Sequence, residues 1–514
     1  MVATGWPGSL ASARLTPLRR DALLLALIGI AAFAAFPTKP LYSENQNTKF
    51  LYGLAKAGYG RLRDDWLAQQ PSELPIFDAL VFLTANFAGP WAFFVWHAAL
   101  VAVYSVAMYG IARLVGLTEP ERFGPGGRWF LPIFGIWFVA LHSNNATGRM
   151  FEGVGHQYIH GPVFEPAMFG VLTLLGLLLF RLGQVGWAAV LIVAAAWIHP
   201  AYAIPGLMLF AGMVVARWRF GAAMVKLPPL VVAAGVLGCL GAAGFAWSLL
   251  QPLDPAVHAE AVRIITEIRI PQHSLPEHWF DGNGQAKLLL VITAIVLARR
   301  DPVGWVLLTM SLGMAALSIW VYVAHDMQLA LAAPWRASAI VMPAANAILL
   351  GRAMQEFAIM SKNRPWLRRT CFILTAFVLV AAIGLGIRGK IRQFVLLARD
   401  PAYFAWVRDN AKSGDVFLTP VHEMDFRLAT GQPQYVSWKS HPYAGPAVLE
   451  WYRRIEQART VTKSPDPPCE TLAALAAEGV THVVRQTADG APDCPGWDVV
   501  YEDGADVIAA HRPE

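Results

Sequence analysis

The chain is expected to fold as an α-helical polytopic membrane protein with a small C-terminal α/β domain, and three observations predict that class. Of 514 residues, 56% are hydrophobic and only 15% charged, whereas an ordinary globular chain carries about a quarter charged residues. Mean hydropathy is +0.44. Long apolar runs recur with short Lys/Arg clusters between them, and beyond residue 392 the runs shorten to strand length.

A helix needs about 17–25 apolar residues to cross a bilayer, and shorter ones survive where protein shelters them. On that rule about eleven spans are expected, near 22–36, 91–115, 129–142, 163–180, 186–198, 201–215, 230–250, 288–298, 303–324, 335–350 and 371–387. Arg14, Arg19 and Arg20 precede the first run, and Pro37-Thr38-Lys39 offers no small-x-small cleavage site. An uncleaved first span with a cytoplasmic N-terminus is expected.

Arg113, Arg122 and Arg128 follow the second span, Arg181 the fourth, and Arg217, Arg219 and Lys226 the sixth. Arg299 and Arg300 follow the eighth, and Arg352, Lys362, Arg364, Arg368 and Arg369 the tenth. Cytoplasmic loops are rich in such residues, so every even span should end inside. Arg388, Lys390 and Arg392 are the exception; parity puts them outside, where anionic headgroups or a phosphate would meet them. The net charge of +6 thus reads as orientation signals, and no nucleic-acid partner is expected.

The long loops then face outward: 38–77, 142–162 and 251–287. In the first, Phe50, Leu51, Leu54, Ala57 and Leu62 have helical spacing, predicting an amphipathic helix over 48–66 lying on the membrane. A further interfacial or re-entrant helix is expected over 75–89. Of 13 histidines only His97 falls well inside a span. Titratable groups in such proteins face cavities or aqueous surfaces, which makes the outer face the working one.

Two domains follow, 1–392 in the membrane and 393–514 outside it. In the second, helices are expected over 401–412, 446–458 and 470–478, and strands over 415–419, 434–438, 481–485 and 499–501. Cys239 and Cys371 lie in apolar runs, while Cys469 and Cys494 lie in this polar region. The latter pair is compatible with a disulfide in an oxidising compartment. There is no P-loop, and no GxGxxG with a following acidic residue.

Glu44, in SENQ just past the first span, is placed to act as a general base at the membrane surface or to bind a divalent cation. Asp64 and Asp65 would share a metal ion in a turn, or simply end the interfacial helix. His199-Pro200 suits a hydrogen-bond donor to a phosphate or a satisfied core histidine. Arg149, His156, Tyr158 and His160 are further donors. RIPQHSLPEHWF, 269–280, holds Arg269, His273 and His278 on a stiff backbone. His273 and His278 lack the companion ligands of a specific zinc motif. Arg336 would pair with a phosphate or carboxylate, or snorkel to the interface. A charge-dense block, which includes His422, Glu423, Asp425, Arg427 and Lys439, suits an acidic or sugar substrate or a docking surface.

With these residues laid out, the chain resembles the GT-C superfamily of membrane glycosyltransferases. The likeness is architectural over nearly the full length. SENQ, DDW at 64–66, His199-Pro200, RIPQH and FRLATGQPQYVSWKSHP are similar to an uncharacterised bacterial branch of GT-C-like proteins. The resemblance implies a catalytic carboxylate in the first outer loop and a polyprenyl-phosphate sugar as donor. It nominates Glu44, then Asp64 or Asp65, as base or metal ligand, and Arg336, His199 and Arg269 as stabilising the leaving lipid phosphate; from the residues themselves, His156, His160, His273 and Lys439 are expected to bind substrate as well. It implies the bacterial inner membrane, a periplasmic C-terminal domain, and no cofactor beyond a divalent cation. A WWDYG-type signature is lacking, which argues against a protein acceptor. Two other classes compete: a non-catalytic partner in envelope polysaccharide assembly or export, and a transporter of lipid-linked substrates. The near absence of ionisable groups in the inner halves of the spans counts against the transporter.

Overall fold

The computed structural model describes residues 10–36, 38–123, 127, 129–143, 145–221, 224, 226–250, 254–397 and 400–512. Each expected apolar run contains a helix: Leu10–Ala35, Ala92–Ile111, Phe130–His142, Val171–Arg181, Val185–Ile198, Ala203–Phe220, Pro229–Leu250, Gly282–Leu297, Pro302–Ala324, Ser338–Met360 and Pro365–Ile391. Arg122, Arg128 and Arg368, among the orientation signals, lie outside the residues whose side chains are described, as does Arg14.

Among the described residues six stretches are long and apolar enough to cross a membrane: Ala92–Gly116, Pro200–Phe220, Pro229–Leu249, Pro302–Ala324, Met327–Met360 and Pro365–Val395. The fifth is not one straight helix, because Ala333 sits in the left-handed region at φ 45°. The protein is therefore largely helical, with apolar helices of membrane-crossing length and a small C-terminal sheet. Local sequence sets the helix starts. Asp301 caps Pro302–Ala324 by accepting from the Val303 N–H at 3.0 Å, with Pro302 at the first helical position. Asp281 does the same for Gly282–Leu297 through Gly284 N–H at 2.8 Å. Such caps satisfy N–H groups that the helix cannot. Along Pro365–Ile391 the exposed side chains include Phe372, Ile373, Phe377 and Val380, a surface suited to lipid and costly in water.

The chain divides into two compact units. The first comprises Met1–Thr38, Phe94–Phe245 and Ile270–Gln393. Within it Ala203–Phe220 packs on Pro302–Ala324, Val171–Arg181 on Val185–Ile198, and Leu10–Ala35 on Phe130–His142 and Pro365–Ile391. Arg181 and Asp301 form a largely buried ion pair at 2.7 Å. Lys390, one of the three cations that break the charge parity, donates to the Phe33 carbonyl at 2.7 Å.

The second unit comprises Lys39–Phe93, Ala246–Arg269 and Phe394–Glu514. Its sheet contains β1 Phe417–Leu418, β2 His482–Gln486, β3 Trp497–Glu502 and β4 Asp506–His511. The strand order is β1-β2-β4-β3, with β1 parallel to β2 and the other pairs antiparallel. The core joins Tyr403, Phe404 and Val407 of helix Ala402–Asn410 to Phe417, Phe426, Val484 and Ile508. Helix Gly445–Lys463 packs against Pro255–Arg263 from the preceding long loop. The strand expected over 434–438 is reduced to a single parallel bridge between Phe417 and Gln434, because Gln434 spends its N–H on the Asp65 carboxylate instead of a ladder. The sequence reading also missed β4.

The helix expected over 48–66 is corrected. It breaks into Gln46–Lys49 and Leu51–Lys56, followed by two short 3-10 turns. Gly58 and Gly60 have positive φ, and a Cβ on Gly60 would overlap the Gly431 carbonyl, which accepts from the Arg61 N–H at 2.7 Å. The apolar face that was to lie on lipid is buried in protein instead: Phe50, Leu51 and Leu62 are fully buried and Leu54 nearly so. Phe50 packs on Phe77 and Phe93 at centroid distances of 6.0 and 4.6 Å. Helix Pro75–Phe87 does form, with Ile76, Leu83 and Phe87 exposed on one side and Phe77 and Val81 buried on the other.

Cys469 and Cys494 are joined as a disulfide, with Cα atoms 5.4 Å apart and a sequence separation of 25. Closing a loop of that length restricts the unfolded chain by about 3 kcal/mol. Cys469→Ser/Cys494→Ser is therefore expected to destabilise the second unit by roughly that amount. The check is a urea titration followed by hydrogen exchange of β2 and β4; unchanged protection would contradict it.

Candidate functional site

The carboxylates of the first loop, which looked alike in sequence, occupy three different environments within the second unit. Asp65 is fully buried. Its Oδ2 accepts from Arg427 Nε at 2.6 Å and from the Gln434 N–H at 2.9 Å, and its Oδ1 from the Leu67 N–H at 2.9 Å. Arg427 is equally enclosed, donating its other nitrogens to Ser437 Oγ at 3.0 Å and the Gln434 carbonyl at 2.9 Å. With its acceptors taken, Asp65 is a packing group that ties the first loop to the C-terminal fold. Neighbouring Asp64 ends the turn Leu62–Asp64 and is exposed. The two therefore do not converge, and among the described residues no cluster of three His, Cys, Asp or Glu could hold a metal ion.

Glu44 differs from both. It sits in the left-handed region at φ 55°, a conformation uncommon outside glycine, and its side chain is 39% exposed while ion-paired to Lys39. Asn47, one turn on, donates to Asp425 Oδ1. Burial raises the Asp425 pKa, the Asn47 amide opposes this, and the charges of Glu44 and Asp400 raise it further. Glu423 is pushed up to about 7, first by burial and then by Asp425. Glu44 thus belongs to an acidic group completed by Asp425 and Glu423. Burial raises both Asp425 and Glu423, which suits them to hold or pass a proton. Sequence reading placed Glu423 and Asp425 only in a charge-dense block, because nothing in one dimension brings residue 425 to residue 44.

Arg269 and Lys439 also meet in this unit. Arg269 Nη2 donates to the Lys439 carbonyl at 2.8 Å, and its guanidinium lies 5.7 Å from the Trp438 ring centroid. Thr48 Oγ1 bonds Ser440 Oγ at 3.0 Å, holding the first loop beside the same strand-like segment.

The remaining nominated residues lie in the first unit. Arg336 Nη1 is 3.3 Å from His199 Nε2, and its guanidinium lies 5.5 Å from the Tyr202 ring centroid. Among the described residues no carboxylate forms an ion pair with Arg336, and its Nε is a buried donor without a hydrogen bond. The adjacent Trp335 is fully buried and donates to the His273 carbonyl at 2.6 Å. His273 Nδ1 lies 2.7 Å from the Gly155 carbonyl, and its ring is 6.3 Å from exposed His156. Trp335-Arg336 thus carries two nominated groups at once. RIPQHSLPEHWF forms two one-turn helices, Pro271–Ser274 and Pro276–His278, each started by its proline.

His160 packs against Phe36 at 4.2 Å and Tyr104 at 5.5 Å, with His142 and His97 at 5.6 and 6.4 Å. His97 and His142 are almost completely buried. His160 itself is half-buried within this aromatic cluster.

Sequence reading passed over Asp78, the single acid in helix Pro75–Phe87. It is only 1% exposed, and among the described residues no hydrogen bond of good geometry reaches either oxygen, Ser72 being a weak donor nearby. Burial pushes its pKa up to about 7; Ser72, Lys56 and Lys49 oppose that rise, and Glu73 adds to it. An isolated acid in an apolar helix was the available signal.

A family model described only as a domain of unknown function, DUF6798, matches residues 399–458. That segment contains Asp425, Arg427 and Lys439 but neither Glu44 nor Asp65. No curated protein matches the chain.

Proposed function

We propose that the protein is a GT-C-like inverting glycosyltransferase that moves a sugar from a polyprenyl-phosphate donor to an acceptor at the outer leaflet of a bacterial inner membrane. On this reading the eleven apolar helices are its spans, the N-terminus is cytoplasmic, and the unit holding the disulfide is periplasmic. The observation that carries it is Arg336, a half-buried guanidinium braced by His199 and Tyr202, with which no carboxylate among the described residues forms an ion pair. A charge so placed suits an anion.

The chemistry assigned is a single displacement. The acceptor oxygen forms a bond to the anomeric carbon as the bond from that carbon to the phosphate oxygen breaks. Glu44 takes the acceptor's proton, and the bond pair leaves on the phosphate. Arg336 and His199 of the first unit are the groups suited to hold the donor's phosphate. Lys39, which is ion-paired to Glu44, must release it for the transfer.

Transfer from a polyprenyl-phosphate sugar by purified protein is the test. Glu44→Ala and Arg336→Ala are each expected to lower the rate by about 100-fold or more; full activity in both would end the proposal. Lys439→Cys in intact cells should react with an impermeant maleimide, and reaction only after lysis would invert the topology.

A non-catalytic role in envelope assembly is the second reading. What favours it is that Glu44, Asp65 and Glu73 of the first loop all sit in ion pairs, with Lys39, Arg427 and Lys49. Absence of transfer by the parent protein with every tested donor, together with normal folding, would favour this reading.

A further inference from the structure

The second unit carries a cationic cluster that neither the sequence motifs nor the proposed transfer accounts for. It is built around Trp438, whose backbone N–H donates to the Val421 carbonyl at 2.7 Å and whose ring packs on fully buried Trp451 at 5.5 Å. The indole is thereby fixed in place. Two guanidiniums lie over it, that of Arg459 at 4.5 Å and that of Arg269 at 5.7 Å from the ring centroid. Exposed His422 approaches the same ring edge-on at 6.4 Å.

The charges around this indole are one-sided. Arg459 has a carboxylate partner, Glu456 at 2.7 Å, which is itself half exposed. Arg269 has none among the described residues; its Nη2 donates to the Lys439 carbonyl, and its Nε is buried without a hydrogen bond, as is the Nε of Arg459. The charged groups that act on His422 are Lys463, Arg459 and Arg269, all positive, and with burial they hold its pKa below the ordinary histidine value. Three permanent cations against one carboxylate, with two buried guanidinium donors unfilled, make an unbalanced arrangement. Partly desolvated arginine without a counter-ion is unfavourable, and an oxyanion accepting from both forks would offset that cost.

We propose that Arg269, Arg459, Lys463 and His422 around Trp438 form a binding site for a phosphate group. The indole fixes the two arginine planes through cation–π contact, so little side-chain freedom remains to be lost on binding. Lys463 adds long-range attraction, and neutral His422 supplies a hydrogen-bond donor. A phosphomonoester dianion matches the surplus charge of the cluster. Such a group could arrive on a lipid headgroup or as soluble phosphate, and both present the same oxygens.

The site stands apart from the transfer assigned to Glu44 and Arg336, so binding alone tests it. Full-length protein in detergent is titrated with inorganic phosphate and pyrophosphate, with affinity read from the rise in melting temperature. The parent should show a saturable rise. Arg269→Gln and Arg459→Gln should each weaken apparent affinity at least tenfold, and the double variant should abolish the rise. Arg459→Lys, which keeps the charge but loses the fork, should fall between. In an Arg336→Gln background, which removes the phosphate-holding group assigned to the transfer, a saturable rise should persist and be lost on adding Arg269→Gln/Arg459→Gln, so that the two sites are read separately. In nanodiscs, stabilisation by phosphatidic acid over phosphatidylcholine, lost in the double variant, identifies a lipid source. Equal phosphate binding in both bilayers identifies a soluble one. A parent that shows no saturable response to any of these probes, or a double variant that responds as the parent does, overturns the proposal.

Discussion

Asp65→Ala is expected to destabilise the second unit by about 3–5 kcal/mol, because it strands the Arg427 guanidinium in a site closed to bulk solvent. Asp65 and Arg427 are among the most enclosed charges of this unit, 0% and 2% exposed, and their bonds reach Leu67, Gln434 and Ser437. Removing one partner leaves the other desolvated and unpaired, which costs far more than the pair contributes over an apolar substitute. The check is a urea titration of the full-length protein in detergent, followed by tryptophan fluorescence. Arg427→Ala should behave alike, whereas the joint replacement Asp65→Leu/Arg427→Met should recover most of the loss. A single variant within about 0.5 kcal/mol of the parent would contradict the assignment. One consequence concerns the segment 399–458 that matches a family model. It contains Arg427 but not Asp65, so expressed alone it is expected to remain unfolded.

Asp78→Asn should do the opposite and stabilise the protein at alkaline pH. The folded-state pKa is about 7 against an ordinary 3.8, with burial as the first cause. A raised carboxyl pKa means that the unfolded chain releases its proton first. The contribution is therefore intact below about pH 4 and is lost as pH rises through 7, by on the order of 4 kcal/mol in total. Its place in the first turn of Pro75–Phe87, where the helix dipole favours negative charge, softens that penalty without removing it. Melting temperatures measured between pH 4 and pH 8.5 should decline in the parent and decline less in Asp78→Asn. Identical slopes in the two proteins would show that Asp78 is already solvated or paired. The two aspartates thus make a contrast: both are buried, but only Asp65 has donors converging on it.

The helices were legible because an apolar run of bilayer length leaves the backbone few alternatives. Helix starts such as Asp301-Pro302 and Asp281-Gly282 were readable for the same local reason, a side chain supplying what the first turn lacks. Helix ends in the first loop were not. The spacing of Phe50, Leu51, Leu54 and Leu62 promised an apolar face, and the face exists, but periodicity does not say whether lipid or protein covers it. The same blindness held for the histidines. His160 and His156 stood four residues apart with equal claims, and packing sent one into an aromatic cluster while leaving the other exposed.

By itself the sequence determined the class of protein, the positions of its apolar helices and the polar C-terminal region with its cysteine pair. These are local properties, set by hydropathy, charge and spacing within a few tens of residues. Only the tertiary structure decided what each carboxylate does. Asp65 became structural because Arg427 lies 2.6 Å away after 362 residues of chain, Asp78 became an unpaired buried acid, and Glu44 acquired Asp425 and Glu423 as neighbours. The physical reason is that a carboxylate's behaviour follows from the donors, charges and solvent within a few ångströms of it, and contacts this distant in sequence are fixed only when the chain folds.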